Sequence, residues 1–197
     1  MLEAKFESAL AHRAEPSNTY ISMREISERG VIDLRGLASD KKFMAAVKSV
    51  LGFDLPKVPR TSNAWGEVRA LWLAPDQWLI TCGRAKAETL AAEMTTALGN
   101  IHSLVVNVSD MRSIIRLEGE SVRETVMKGT AIDLTEGNYT AGTVRRMRFA
   151  EIAALLHIVE ENVIEIYVFR SYAEYAWAFL LKAARNGSEV KLFANGR

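Results

Sequence analysis

Among the 197 residues there is one cysteine, Cys82, with three histidines and four prolines. A lone cysteine excludes an intramolecular disulfide and any multi-cysteine metal site, and it fits a reducing compartment. His12, His102 and His157 are scattered, with no pair in a metal-ligand spacing such as H-x-x-x-H. Neither sign of charge dominates. Lys and Arg number 25 against 24 acids, a formal net charge of +1. That gives no reason to expect nucleic acid as a partner, because phosphate-backbone binding needs a concentrated basic surface. No apolar run approaches the roughly 20 residues that span a bilayer, and the acid-bearing N-terminal stretch does not read as a secretory signal. G-x-G-x-x-G after a strand, a phosphate loop and a G-x-S-x-G elbow are all missing. Composition therefore predicts a soluble cytoplasmic protein with a sizeable core and no membrane partner.

What the chain does have is an internal echo. Ile32-Asp33-Leu34-Arg35-Gly36, a helical stretch and Phe53-Asp54-Leu55 recur as Ile115-Arg116-Leu117-Glu118-Gly119, another helical stretch and Ile132-Asp133-Leu134. A hairpin closing at Ala74-Pro75-Asp76-Gln77 leads to a helix near Ala85–Leu98. One closing at Glu160-Glu161-Asn162 leads to a helix near Ser171–Arg185. The offset is 83 positions from Leu34 to Leu117 and 85 from Trp78 to Val163. Each half reads β-α-β-β-α, predicting an α+β fold of two duplicated units with mixed or antiparallel sheets about a pseudo-twofold axis. Residues 1–18 read as an N-terminal arm, either frayed or ordered on a partner, with Leu2, Phe6 and Leu10 as one helical stripe. Residues 19–197 form the single duplicated domain, unit one at about 19–103 and unit two at about 104–187.

Local signals fill in these units. Asp40 is an N-cap for a helix burying Phe43, Val47, Val50 and Leu51, and Gly52 stops it. Residues 54–66 read as a loop. Ser121–Glu124 and Ser171–Glu174 have the S-x-x-E spacing of capping boxes. Tyr172, Tyr175, Ala176, Phe179, Leu180 and Ala183 give the last helix an apolar stripe.

Candidates for chemistry are few. His157 reads as an ordinary strand position and Cys82 as a small buried thiol. Asp110 beside Arg112 is able to orient a ligand, although turn chemistry explains Ser109-Asp110 at lower cost. Arg145, Arg146 and Arg148 are dispersed by alternation, with Arg146 and Arg148 on one face. Trp65, Trp72, Trp78 and Trp177 read as core or interface anchors. No catalytic, cofactor-binding or metal-binding residue is assigned.

Four segments carry a family likeness. They are LAPDQWLITC (Leu73–Cys82), NVSDMRSIIRLEG (Asn107–Gly119), ETVMKGTAIDLT (Glu124–Thr135) and RSYAEYAWAFLLKAA (Arg170–Ala184). In order and spacing they resemble the gamma subunits of heterotetrameric sarcosine oxidases. Ala74 stands where that family usually has glycine, and Glu120 where proline is common. The resemblance implies a fold like the folate-binding domain of aminomethyltransferases. It also implies a non-catalytic assembly role beside alpha, beta and delta subunits, in an enzyme that oxidatively demethylates sarcosine to glycine. That reaction forms hydrogen peroxide and passes the one-carbon unit to tetrahydrofolate. FAD, FMN, NAD, tetrahydrofolate and zinc are implied in those partner subunits and none on this chain. Two alternatives stay open. One is a free-standing folate-binding protein of one-carbon metabolism using a cleft between the units. The other is an independent enzyme relying on Asp110 with Arg112, or on Glu160 with Glu161.

Overall fold

Strands whose residues are buried on both faces organise the chain. In the computed structural model, which describes residues 6–135 and 137–193, every residue from Trp78 to Cys82 and from Ile164 to Val168 is buried. Such unbroken apolar runs belong in the middle of a sheet covered on both sides. Among the described residues, ten strands form two five-stranded sheets, and four α-helices accompany them. In chain order the strands are β1 (Ser22–Glu25), β2 (Arg29–Arg35), β3 (Ser62–Trp65), β4 (Val68–Ala74) and β5 (Gln77–Gly83). They continue with β6 (Leu104–Asn107), β7 (Arg112–Glu118), β8 (Val144–Phe149), β9 (Ile152–Glu160) and β10 (Val163–Phe169). The helices are α1 (Lys41–Leu51), α2 (Ala87–Leu98), α3 (Val122–Met127) and α4 (Ala173–Ala183). The fold class is α+β, and every strand pair whose register is resolved is antiparallel.

One sheet has the order β3-β4-β5-β2-β6. Pro75 and Asp76 close its β4–β5 hairpin, and a register shift between Trp72 and Ala74 places Trp72 opposite Trp78. Trp78 is fully buried against Phe43, with ring centroids 5.8 Å apart, and its indole N–H donates to the Pro56 carbonyl at 2.8 Å. Asp40 Oδ1 accepts from the Lys42 N–H at 2.8 Å and the Phe43 N–H at 3.3 Å, so the expected cap of α1 is present. Gly52 ends α1 at φ 80°. Gly36 follows β2 on the way into α1. Its φ is not positive, but a Cβ there would lie 2.2 Å from the Phe43 ring. The stretch expected to be a loop contains the short edge strand β3.

The other sheet has the order β1-β7-β10-β9-β8. Its core gathers Ile115, Leu117, Phe149, Leu156, Ile166 and Trp177. Lys128 and Gly129, in the ETVMKGTAIDLT segment, are structural. Lys128 Nζ donates to the Ala183 carbonyl at 2.8 Å, the Ser188 carbonyl at 2.6 Å and Tyr20 Oη at 3.0 Å. A Cβ on Gly129 would stand 2.4 Å from the Phe149 ring.

Strand membership departs from the linear reading. Tyr20–Ser27 was expected in unit one, but β1 pairs with β7, and Thr19 bridges Arg185. Likewise β6 pairs with β2 while β7, the next strand in the chain, joins the other sheet. Contacts divide the described residues into one unit drawn from 1–27, 111–140 and 147–197 and another from 28–110 and 141–146. Period-two alternation says which face of a strand is apolar and is silent on its neighbour.

Both expected capping boxes are replaced by longer-range bonds. Neither Ser121 nor Ser171 makes a side-chain cap. Glu124 instead accepts from the main-chain N–H groups of Val190 and Leu192. Glu174 binds Arg13, with Nε 3.1 Å from Oε2, and His12, with Nε2 2.7 Å from Oε1. Arg13 hydrogen-bonds the Glu174 carboxylate and holds it below the usual carboxylate range. The described part of the arm is therefore held to its own unit, with Leu10 only 2% exposed in the core. Phe6 is exposed rather than sharing a stripe with Leu10, and Leu2 lies outside the described residues. On α4 the buried face is Ala173, Ala176, Trp177, Leu180 and Ala183, whereas Tyr172 and Tyr175 are exposed. Among the described residues, no helix is long and apolar enough to cross a membrane.

Gly36→Ala is expected to lower stability by about 1–3 kcal/mol, because the added methyl overpacks the site against the Phe43 ring. Urea denaturation checks this, and shaving the ring in Gly36→Ala/Phe43→Leu should recover part of the loss.

Candidate functional site

One group of ionisable side chains crosses the β1-β7-β10-β9-β8 sheet along a single row. His157 on β9 stands opposite Glu165 on β10, Glu165 opposite Arg116 on β7, and Arg116 opposite Arg24 on β1. Glu165 is completely buried and His157 is 2% exposed. Glu165 Oε1 accepts from Arg116 Nη1 at 3.2 Å, and Oε2 accepts from Tyr167 Oη at 2.8 Å, with His157 Nδ1 at 3.9 Å. Arg116 also binds Glu118, whose other cation is Arg24 at 3.5 Å. The Arg116 hydrogen bond holds the Glu118 carboxyl below its usual range.

This row reaches from the interior at His157 to half-exposed Arg24 and Glu118. Its arrangement is that of a buried ion pair with satisfied hydrogen bonds, which fixes strand register. By sequence alone His157 is an ordinary strand position, and Glu165 is assigned no role. A usable signal existed, a lone carboxylate within the apolar run Val163–Val168.

The other candidates do not converge. Asp110 pairs with Arg84 rather than with Arg112, and the Arg112 guanidinium lies over the Phe169 ring, 4.7 Å from its centroid. Ser109 is held by turn chemistry. Its N–H donates to Asn107 Oδ1 at 3.1 Å, and its Oγ accepts from the Val31 N–H at 3.0 Å. Glu160 and Glu161 are exposed at a hairpin end, where the Glu161 carbonyl accepts from Tyr139 Oη at 2.6 Å. Burial pushes the Tyr139 hydroxyl up to about 12 and also raises the Cys82 thiol above its ordinary value. Arg146 and Arg148 are both exposed, as alternation predicts, and Arg148 pairs with Glu151. An open groove of about 500 Å³ is lined by residues 128–132 with Arg148 and Ala150. Its two cations are spent on the bonds already named. Among the described residues, no three His, Cys, Asp or Glu side chains are grouped to hold a metal.

Trp72, Trp78 and Trp177 lie in or against the two cores. Trp65 does not. It is 72% exposed at the end of edge strand β3, not far in sequence from exposed Val58.

Residues 35–186 match the sequence model of the sarcosine oxidase, gamma subunit family. The chain belongs to that family. It is 26% identical over 164 residues to sarcosine oxidase subunit gamma of Corynebacterium sp. strain P-1, covering 83% of this chain and 79% of that one. The corresponding subunit of Corynebacterium sp. strain U-96 is 25% identical over 173 residues, covering 87% and 83%. Among solved structures, heterotetrameric sarcosine oxidase from Corynebacterium sp. U-96 in complex with pyrrole 2-carboxylate contains a similar chain. Its TM-score is 0.85 at 23% identity, covering 93% of this chain and 97% of that one. Glycine cleavage system aminomethyltransferase T from Bartonella henselae shares the fold at TM-score 0.63 and 15% identity, over 84% of this chain and 46% of that one. Within this gamma-subunit chain, the segments that carry the family likeness are occupied with holding the fold: Trp78 with Pro56, Ser109 with Val31, Lys128 with Ala183, and Glu174 with Arg13.

Two outcomes are expected of these side chains. Arg116→Leu should cost about 3–5 kcal/mol by leaving the buried Glu165 charge uncompensated, and Arg116→Leu/Glu165→Leu should return most of that stability. Denaturation of the single and double variants measures both. Cys82 should resist a thiol reagent in native buffer and react fully on unfolding, followed by absorbance.

Proposed function

We propose that this chain is an assembly subunit of a heterotetrameric sarcosine oxidase, packing against alpha, beta and delta subunits and contributing no reacting group. The family match across residues 35–186 carries the reading. The spending of buried polar groups on structural bonds supports it. Oxidative demethylation of sarcosine, with transfer of the one-carbon unit to tetrahydrofolate, would then take place on the partners. FAD, FMN, NAD, tetrahydrofolate and zinc would bind there too, in a soluble cytoplasmic complex.

We also propose that the chain arose by internal duplication. The echo in sequence supports this, as does the matching order of the four strands β2-β5-β4-β3 and β7-β10-β9-β8, each edged by the strand that directly precedes the other set of four in the chain.

Trp65 is the proposed anchor for a partner subunit. Tryptophan is the residue type most enriched among interface hot spots, and exposing so large an apolar side chain is otherwise unfavourable. Co-expression with the candidate alpha, beta and delta subunits, followed by pull-down on this chain, tests the function. Recovery of a stoichiometric complex is expected, and a chain that stays alone refutes the reading. Trp65→Ala should weaken that association by about 2 kcal/mol or more without changing the melting temperature of the isolated chain. Titration with tetrahydrofolate separates the folate-binding alternative, since saturable binding by the lone chain would favour it.

A further inference from the structure

Two stretches that contain no acid meet beside edge strand β3. Residues 55–66 carry Lys57 and Arg60, residues 141–146 carry Arg145 and Arg146, and neither stretch holds an aspartate or glutamate. The fold brings them together. The Val144 N–H donates to the Arg60 carbonyl at 2.8 Å, and Ser62 Oγ donates to the Gly142 carbonyl at 2.9 Å. Arg146 stands two residues along β8 from Val144, about 7 Å. Lys57, Arg60 and Arg146 are exposed, and none of the three makes an ion pair among the described residues. The acids that border the first stretch are already paired, Asp54 with Lys48 at 2.8 Å and Glu67 with Lys86 at 3.6 Å. Val58, 65% exposed, follows Lys57 in the chain, and exposed Trp65 ends β3.

We propose that this surface docks an acidic face of a partner subunit, with carboxylates meeting Lys57, Arg60 and Arg146 and apolar groups covering Val58 and Trp65. The proposal rests on the assembly role given above and names the chemistry of the surface that covers Trp65. Like charges grouped without a counter-charge repel one another, and a partner that brings carboxylates relieves that repulsion. The cations and the tryptophan then act on different steps. Complementary charge steers encounter and sets the association rate, whereas the covered aromatic sets how slowly the complex comes apart. Nucleic acid fits less well, because firm phosphate-backbone binding draws on a larger basic surface.

Surface plasmon resonance of the full-length chain against the other three subunits tests this, with each variant matched to wild type in circular dichroism. Lys57→Glu/Arg146→Glu should associate at least about tenfold more slowly than wild type in low salt. The difference should narrow at about 1 M salt, where the Debye length falls to about 3 Å. Lys41→Glu/Lys42→Glu makes an equal change of charge on exposed residues of α1 and should associate as wild type does. Trp65→Ala should leave the association rate unchanged and speed dissociation. If the other three subunits do not stay together without this chain, differently tagged wild type and Lys57→Glu/Arg146→Glu are co-expressed with them. The ratio of the two chains in the recovered complex then reads the same preference. Equal association or equal incorporation of wild type and Lys57→Glu/Arg146→Glu overturns the proposal and leaves the assembly role standing. So does equal slowing by Lys41→Glu/Lys42→Glu, or slowing that persists undiminished in high salt. Binding of duplex DNA that Lys57→Glu/Arg146→Glu abolishes, with assembly unaffected, overturns it in favour of a nucleic-acid site. No association by wild type removes the assembly role and this proposal together.

Discussion

Main-chain pairing of β1 with β7 and of β6 with β2 is the constraint on which the rest of the structure depends. Each sheet is finished at one edge by a strand whose successor in the chain belongs to the other sheet. Strands β2 to β6 are consecutive in the chain, whereas the β1-β7-β10-β9-β8 sheet cannot be cut out as a continuous stretch of sequence without carrying the other sheet or losing its β1 edge. Loss of that edge would expose unpaired N–H and C=O groups along β7. The row His157–Glu165–Arg116–Arg24 adds a second demand on one of these pairings. A one-residue slip of β7, β9 or β10 would turn buried Glu165 away from its partners, and a slip of β1 would move half-exposed Arg24 off Glu118.

Seen in this way, the ionisable residues have mostly structural work. Glu174 and Glu124 tie segments near the two ends of the chain to α4 and α3, Lys128 gathers carbonyls at the end of α4 and after it, and Arg112 covers the Phe169 ring. Each uses a charge-assisted bond or cation–aromatic contact where a neutral group would hold less firmly. Catalysis asks the reverse, a nucleophile, acid or base poised for an incoming substrate. Membership of the gamma-subunit family and the proposed assembly role both suit a chain whose polar groups are committed in this way.

Much of the fold was legible because it is written locally. Ile32 and Leu34, or Ile115 and Leu117, alternate as strands must. Asp40 and Gly52 bracket α1, and Pro75-Asp76 closes the β4–β5 hairpin, although the register shift that sets Trp72 against Trp78 is not written in the turn. What escaped were facts about partners distant in sequence. The S-x-x-E signatures at Ser121 and Ser171 contain glutamates drawn off by residues more than 60 positions away, Val190 for Glu124 and Arg13 for Glu174. Tyr172 and Tyr175 fit a stripe on a helical wheel, yet α4 turns Trp177 inward instead. Trp65 was grouped with the anchors by residue type, and its exposure on an edge strand became visible only with the sheet order. Glu165 was overlooked because its neighbours already explained the strand, although a carboxylate in that run needs a cation close by.

The central claim is that this chain builds the complex and does not perform the chemistry. Sarcosine-dependent hydrogen peroxide formation, measured with the purified chain alone, with the other three subunits alone, and with all four together, tests it most directly. The account predicts no turnover from the chain alone and full activity only in the four-part assembly. Turnover by the isolated chain, or an equally stable and active complex formed without it, would contradict the account.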